Sequence, residues 1–199
     1  MRDSVQTRSV RDAILDATDR LLTRFGYKKM TIDDLAQEVG IGKGSVYLHF
    51  QSKEEIALSH IDRIIERLKR SLTVIAAKPI PADERLRLML IERVLFRFDS
   101  VQHYSTSLND LLAYIRASLL ERRKVYFEKE ALIFAKVIEE GMAAGVFRDV
   151  NALETARTIL LTTNSLLPYS LSPEELGKRS DIKRKTVEIA ELILGGMRA

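Results

Sequence analysis

The sequence predicts an all-α protein. Apolar residues recur at spacings of three and four along nearly the whole chain, the period of a helix with one buried face. No long alternating run marks a strand. Four prolines and nine glycines in 199 residues are too few for a β fold with many turns. Apolar content of 46% and charged content of 30% describe a folded, globular chain. Its length allows one or two domains and a sizeable core.

The elements follow in order. Val10, Ile14, Ala17, Leu21 and Phe25 form one stripe, and Gly26 ends that helix. Thr31-Ile32-Asp33-Asp34 reads as a capping box, with Thr31 as N-cap and Asp34 three residues on. Leu35, Ala36 and Val39 are the buried side of a short second helix that stops at Gly40. A third runs from about Lys43 to Phe50. Ser52-Lys53-Glu54-Glu55 is a second capping box. It opens a long helix with the stripe Ala57, Ile61, Ile64, Leu68, Leu72 and Ile75. Lys78-Pro79-Ile80-Pro81 breaks this helix, because proline cannot continue it. Further helices are expected near 82–101, 106–117, 119–144, 151–168 and 173–197, with Gly145 as a stop. The chain thus divides into a three-helix head over residues 1–53 and a larger helical body over 54–199, with no internal repeat.

Charge and composition exclude several classes. The net charge is +4, compatible with a polyanionic partner, but residues 1–53 hold nine Lys/Arg against seven Asp/Glu. Nucleic-acid contact would therefore come from placement rather than bulk charge. The absence of cysteine excludes disulfides and thiolate metal sites and fits a reducing cytosol. The polar start MRDSVQTRSVRD carries no signal-peptide pattern, and no run suits a membrane span. A cytoplasmic location is expected.

The stretch VGIGKGSV, residues 39–46, sets three glycines between two short helices. Each glycine inside a helix costs about 1 kcal/mol relative to alanine, so the turn needs a reason. A helix-turn-helix supplies one. Ala36 lets two helices cross closely, Gly40 takes the positive φ of the turn, and Val46 anchors the second helix. Gly42 is its N-cap, and Gly44 lies on its exposed side, where backbone can approach another surface. Lys43, Ser45 and His49 project from the same helix, whose positive end suits a phosphate or a base edge.

Residues 13–56, AILDATDRLLTRFGYKKMTIDDLAQEVGIGKGSVYLHFQSKEEI, resemble the tetracycline-repressor-like (TetR) family of transcriptional regulators. Gly26, Thr31, Leu35, Ala36, Val39, Gly40, Gly44, Tyr47, His49, Phe50, Lys53 and Ile56 match the family pattern position by position. Gly42 departs from it, standing where serine is usual, so a hydroxyl contact to phosphate is absent there. The resemblance implies that Lys43, Gly44 and Ser45 face base edges in the major groove. It implies that Thr31, Tyr47, His49 and Lys53 contact phosphates. For Lys53, a cation at a helix start is independently disfavoured unless an anion approaches.

One such head makes few contacts, so heads of this kind act in pairs. Residues 153–171 and 187–197 read as helices apolar nearly all round, which would be buried on both faces in a four-helix homodimer interface. Met89, Phe96, His103, Tyr104, Tyr114, Phe127 and Phe134 fall in an aromatic-rich stretch and are the candidate lining of a small-molecule effector cavity. Its apolar character hints at a hydrophobic effector. No catalytic string occurs, the three histidines are dispersed, and His60, Asp62 and Glu66 do not share a helix face, so neither catalysis, a metal nor a cofactor is expected. The reading is a ligand-responsive repressor that binds a palindromic double-stranded DNA operator as a dimer and is released by a small molecule. An activator with the same head and a constitutive, non-specific architectural DNA binder are the rivals.

Overall fold

The first helix does not end cleanly at Gly26. In the structure, a computed structural model describing residues 9–171, 175 and 177–199 (backbone only at 105–107), α1 spans Val10–Lys29. Gly26 kinks it at φ 70° and ψ 170°, and one more turn follows. Ser9 caps its start by accepting from the Asp12 amide. Val10 and Phe25, the ends of the expected stripe, are exposed. The buried face instead widens to take in Leu15, Thr18 and Leu22 beside Ile14, Ala17 and Leu21.

Next come α2 (Ile32–Val39), α3 (Lys43–His49), α4 (Lys53–Ala76) and α5 (Ala82–Val101). The helices expected at 106–117 and 119–144 are one helix, α6 (Ser105–Ala143). No glycine or proline interrupts the chain between Ser105 and Glu140, and Ser118 Oγ donates to Glu54 Oε1 at 2.7 Å rather than capping a new helix. Gly145, at φ 68°, turns the chain out of α6 as expected. Helix α7 (Ala152–Thr163) is shorter than the expected 151–168; two 3-10 turns, Asn164–Leu166 and Pro168–Ser170, replace its last turn. Pro168 cannot donate to a continuing helix and fixes its own φ. Helix α8 (Arg179–Met197) begins after Gly177, at φ 52°, and an extended Lys178. Residues 173, 174 and 176 of the helix expected at 173–197 lie outside the described residues. No strand occurs among the described residues, only an isolated bridge between Phe147 and Arg198.

The helices group into two units. One comprises the chain up to Arg63 together with His103–Ser118, the other Ile64–Gln102 with Leu119–Ala199. In the first, Ile14, Leu21, Leu35, Val46, Phe50 and Ile56 are essentially fully buried. Charged pairs tie its helices together outside this core: Arg20 and Arg24 on α1 reach Glu38 on α2, and Arg63 on α4 reaches Asp16 at 2.7 Å. In the second, Leu68, Leu72, Met89, Leu90, Phe134, Ile138, Leu160 and Leu194 form the main core.

Helices α7 and α8 are not buried on all sides. Within the chain α7 buries Ala156, Ile159, Leu160 and Thr163, and α8 buries Ile182, Thr186, Ala190 and Leu194. Leu161 and Leu192 stay 61% and 79% exposed on their outer faces.

Candidate nucleic-acid interface

The turn is built from Ala36 and Gly40. Ala36 is 5% exposed, and its carbonyl accepts from the amides of both Gly40 and Ile41 at 2.9 Å. Gly40 closes α2 in the left-handed region, at φ 77° and ψ 34°, which a residue with a Cβ adopts only under strain. The chain then enters α3 through Gly42, an extended N-cap without a side-chain acceptor.

Helix α3 is held from one side. Val46 is fully buried, and Phe50 beyond the helix end is 2% exposed. At about 100° per residue, positions two before and two after Val46 point away from the core. Those positions are Gly44 and Leu48, one turn apart on the outer face. A Cβ built on Gly44 meets nothing within 4 Å, and Leu48 is 84% exposed. Lys43, Tyr47 and His49 are also exposed, and Ser45 is half-buried. The outer face therefore has a low, open centre, one apolar prominence and a polar rim. Leu48 was missed in the sequence. Its signal is geometric: a large apolar residue set opposite the helix's own buried anchor.

Thr31 stands at the start of α2. Its hydroxyl accepts from the Asp34 amide at 3.1 Å and donates to Asp34 Oδ2 at 2.7 Å, while the Thr31 amide donates to the same oxygen at 2.8 Å. These bonds, the hydroxyl's first, hold the Asp34 carboxyl below its usual range. Lys43 Nζ lies 2.9 Å from Asp33 Oδ2, joining the starts of α3 and α2. That hydrogen bond raises the Lys43 ammonium's pKa, so it stays charged.

Lys53 has partners that the sequence did not reveal. Its ammonium donates to the carbonyls of Tyr27 and Met30 at 3.0 and 3.1 Å and sits 4.4 Å from the centre of the Tyr27 ring. The cation thus caps the carbonyl end of α1 across the fold, which offsets its unfavourable place at the start of α4. Burial lowers its pKa. A phosphate contact from Lys53 would have to share these donors. The Ser52 cap is present: Ser52 Oγ accepts from the Glu55 amide at 3.0 Å, while Glu55 reaches the Gln51 amide at 2.6 Å.

The candidate effector residues fall in both units. His103, Tyr104 and Tyr114 belong to the first unit, and Met89, Phe96, Phe127 and Phe134 to the second. Met89 and Phe134 are fully buried core, with Phe96 and Phe127 packed against that core. Tyr104 is buried, which pushes its hydroxyl far above its ordinary pKa. His103 is exposed, and the Tyr114 ring packs tilted against Tyr27, with ring centres 5.4 Å apart. His60 is buried, with Nε2 3.6 Å from Asp19 Oδ1. No helix is long and apolar enough to cross a membrane among the described residues.

Residues 14–59 match the family described as bacterial regulatory proteins, tetR family. An uncharacterized HTH-type transcriptional regulator of Bacillus subtilis, YhgD, is 24% identical over 74% of this chain and 76% of its own. The HTH-type transcriptional repressor KstR2 of Mycolicibacterium smegmatis is 27% identical over 72% of this chain and 70% of its own. An uncharacterized HTH-type transcriptional regulator of B. subtilis, YerO, is 36% identical over 35% of this chain and 25% of its own. The crystal structure of a transcriptional regulator from Cytophaga hutchinsonii superposes with a TM-score of 0.77 at 23% identity, over 94% of this chain and 98% of that one. Fold and head agree with the helix-turn-helix built above from Thr31, Gly40, Val46 and Phe50, and residues 14–59 are a head of the tetR family of bacterial regulatory proteins.

Proposed function

We propose that the chain is a cytoplasmic, ligand-responsive repressor that binds a palindromic operator as a homodimer. In this reading residues 1–53 are the DNA-binding domain and 54–199 the ligand-binding and dimerisation domain. The observation that carries it is the outer face of α3, where nothing stands over Gly44 and the side chains around it can reach into a groove. A B-DNA major groove admits one helix. Lys43 and Ser45 would read base edges, Leu48 would contact a thymine methyl group, and Thr31, Tyr47 and His49 would hold phosphates. Lys53 would position the head from within, adding a phosphate contact only by sharing its donors. Leu161 and Leu192 support pairing, because large exposed apolar side chains on two helices suit a second copy of the same surface.

Selection of bound duplexes from a random pool tests the reading. It predicts a palindrome with half-sites centred one helical turn apart, roughly 34–36 Å. Retention of unrelated sequences with equal affinity would favour the architectural binder. For the effector, linkage requires that operator weaken ligand binding by the same factor by which ligand weakens operator binding, about 5–150-fold for a coupling of ~1–3 kcal/mol. Calorimetry with and without operator reads this directly, and equal ligand affinity in both would leave a constitutive binder.

A further inference from the structure

The second unit holds a buried charged cluster. Arg93 is 2% exposed and Glu130 is fully buried. Arg93 Nε donates to Glu130 Oε2 at 2.8 Å, and its two terminal nitrogens donate to Thr163 Oγ1 and Asn164 Oδ1, both at 2.7 Å. Arg97, one turn along α5, donates to the other Glu130 oxygen and to the Arg93 carbonyl. Tyr169 donates its hydroxyl to the same Asn164 oxygen at 3.2 Å.

The charges do not balance. Two guanidiniums stay protonated at any physiological pH, and Glu130 is the one carboxylate ion-paired with them among the described residues. One positive charge is left over in a nearly dry place, which is unfavourable unless another anion completes it. Glu130 spends both oxygens on the two arginines, so the shortfall cannot be met from within the cluster. Arg97 is the accessible edge, with its side chain 10% exposed. Close by in sequence on either side of these polar groups, Val94, Leu95, Phe98, Leu166 and Leu167 form a separate apolar cluster.

We infer that this cluster is the polar half of the effector site and takes the carboxylate of an amphipathic monoanion, with Arg97 as its principal donor. The inference rests on the ligand-responsive reading and names the chemistry of that ligand. A single carboxylate cancels the single excess charge, whereas a phosphate dianion overshoots it. The fork of a guanidinium fits a carboxylate in two parallel hydrogen bonds. A hydrocarbon tail would have to part the apolar cluster, whose buried side chains are at most 7% exposed.

The test is calorimetric titration of the full-length protein with decanoate, 1-decanol and decyl phosphate, each below its aggregation limit. Decanoate should bind saturably, one per chain, at least about 10-fold more tightly than decanol, the size expected for hydrogen bonds to a charged group. Decyl phosphate should bind more weakly than decanoate. Arg97→Met should lose decanoate binding by a similar factor, and Arg97→Lys, which keeps the charge without the fork, should be intermediate and guards against misfolding of the first variant. Decanoate that binds no better than decanol, or equally well to the parent and Arg97→Lys, overturns the inference and leaves a structural ion cluster only. Tighter binding of decyl phosphate overturns the carboxylate assignment. Operator release is measured separately: decanoate that binds through Arg97 yet leaves DNA affinity unchanged would uphold the site and overturn the ligand-responsive reading.

Discussion

Gly44→Leu should move stability and DNA binding in opposite directions. Gly44 lies in the first turn of α3, and a Cβ added there meets no atom within 4 Å. The substitution therefore meets no steric cost inside the fold. It removes a residue that is about 0.8–1 kcal/mol less favourable in a helix than alanine. The position is near a helix end, so roughly half of that should appear, a gain of about 0.5 kcal/mol. For a chain of this size the melting midpoint should rise by about 1–2 °C. On DNA the sign reverses. Leucine adds a branched side chain at the centre of the face between Lys43 and Leu48, which would hold α3 off the base edges. Losing two base contacts at about 1–3 kcal/mol each weakens binding by at least about 30-fold per head. Thermal melting and fluorescence anisotropy on the selected duplex measure the two effects in one preparation. A variant that binds within threefold of the parent would refute the idea that close backbone approach is required at Gly44.

Four further outcomes are expected. Lys43→Ala should leave the melting midpoint nearly unchanged, because an exposed ion pair such as that with Asp33 contributes little; it should weaken operator binding by about 1–3 kcal/mol and relax sequence preference, and unchanged affinity would remove Lys43 from the interface. Lys53→Met should lower stability by about 1–2 kcal/mol in urea titrations, since it strips charge-assisted bonds from the α1 carbonyls; an unaltered midpoint with weakened DNA binding would mean that the lysine serves phosphate alone. The Asp34 carboxyl is held below its ordinary value of 3.8 in the folded chain, so its contribution is complete above that pH and is lost as pH falls through the lower folded value. The stability gap between parent and Asp34→Asn, read from urea midpoints, should therefore narrow on acidification below about pH 4, and a constant gap would argue against the capping carboxylate. Glu130→Gln should destabilise by about 3–5 kcal/mol, because it leaves two buried guanidiniums without their carboxylate, and a melt within 2 °C of the parent would contradict the buried-charge reading.

The head was legible because its rules are local. Thr31 with Asp34, Gly40 and Ser52 act within three or four residues, and such spacings can be read from a string. What escaped was decided across the fold. Lys53 finds carbonyls more than twenty residues earlier, where a sequence reading sees only a cation at the start of a helix. Glu130 lies 37 and 33 positions from the arginines it joins, so the cluster has no sequence signature. The continuity of α6 was lost because Ala117 and Ser118 look like a boundary when the partner of Ser118, Glu54, is unknown. The sequence did not show that His103, Tyr104 and Tyr114 fall in one compact unit and Met89, Phe96, Phe127 and Phe134 in the other. For α7 and α8, composition marks helices apolar nearly all round but does not say which face meets the chain's own core. Leu161 and Leu192 mark the face that does not.

The central claim is that the face of α3 around Gly44 and Leu48 docks in the major groove. Dimethyl sulfate probing of the selected duplex tests it most directly, because guanine N7 opens into the major groove and adenine N3 into the minor. Protection of guanine N7 in two half-sites one turn apart, lost with Lys43→Ala and Gly44→Leu, is the predicted result. Protection confined to adenine N3, or protection at N7 that survives both substitutions, would contradict it.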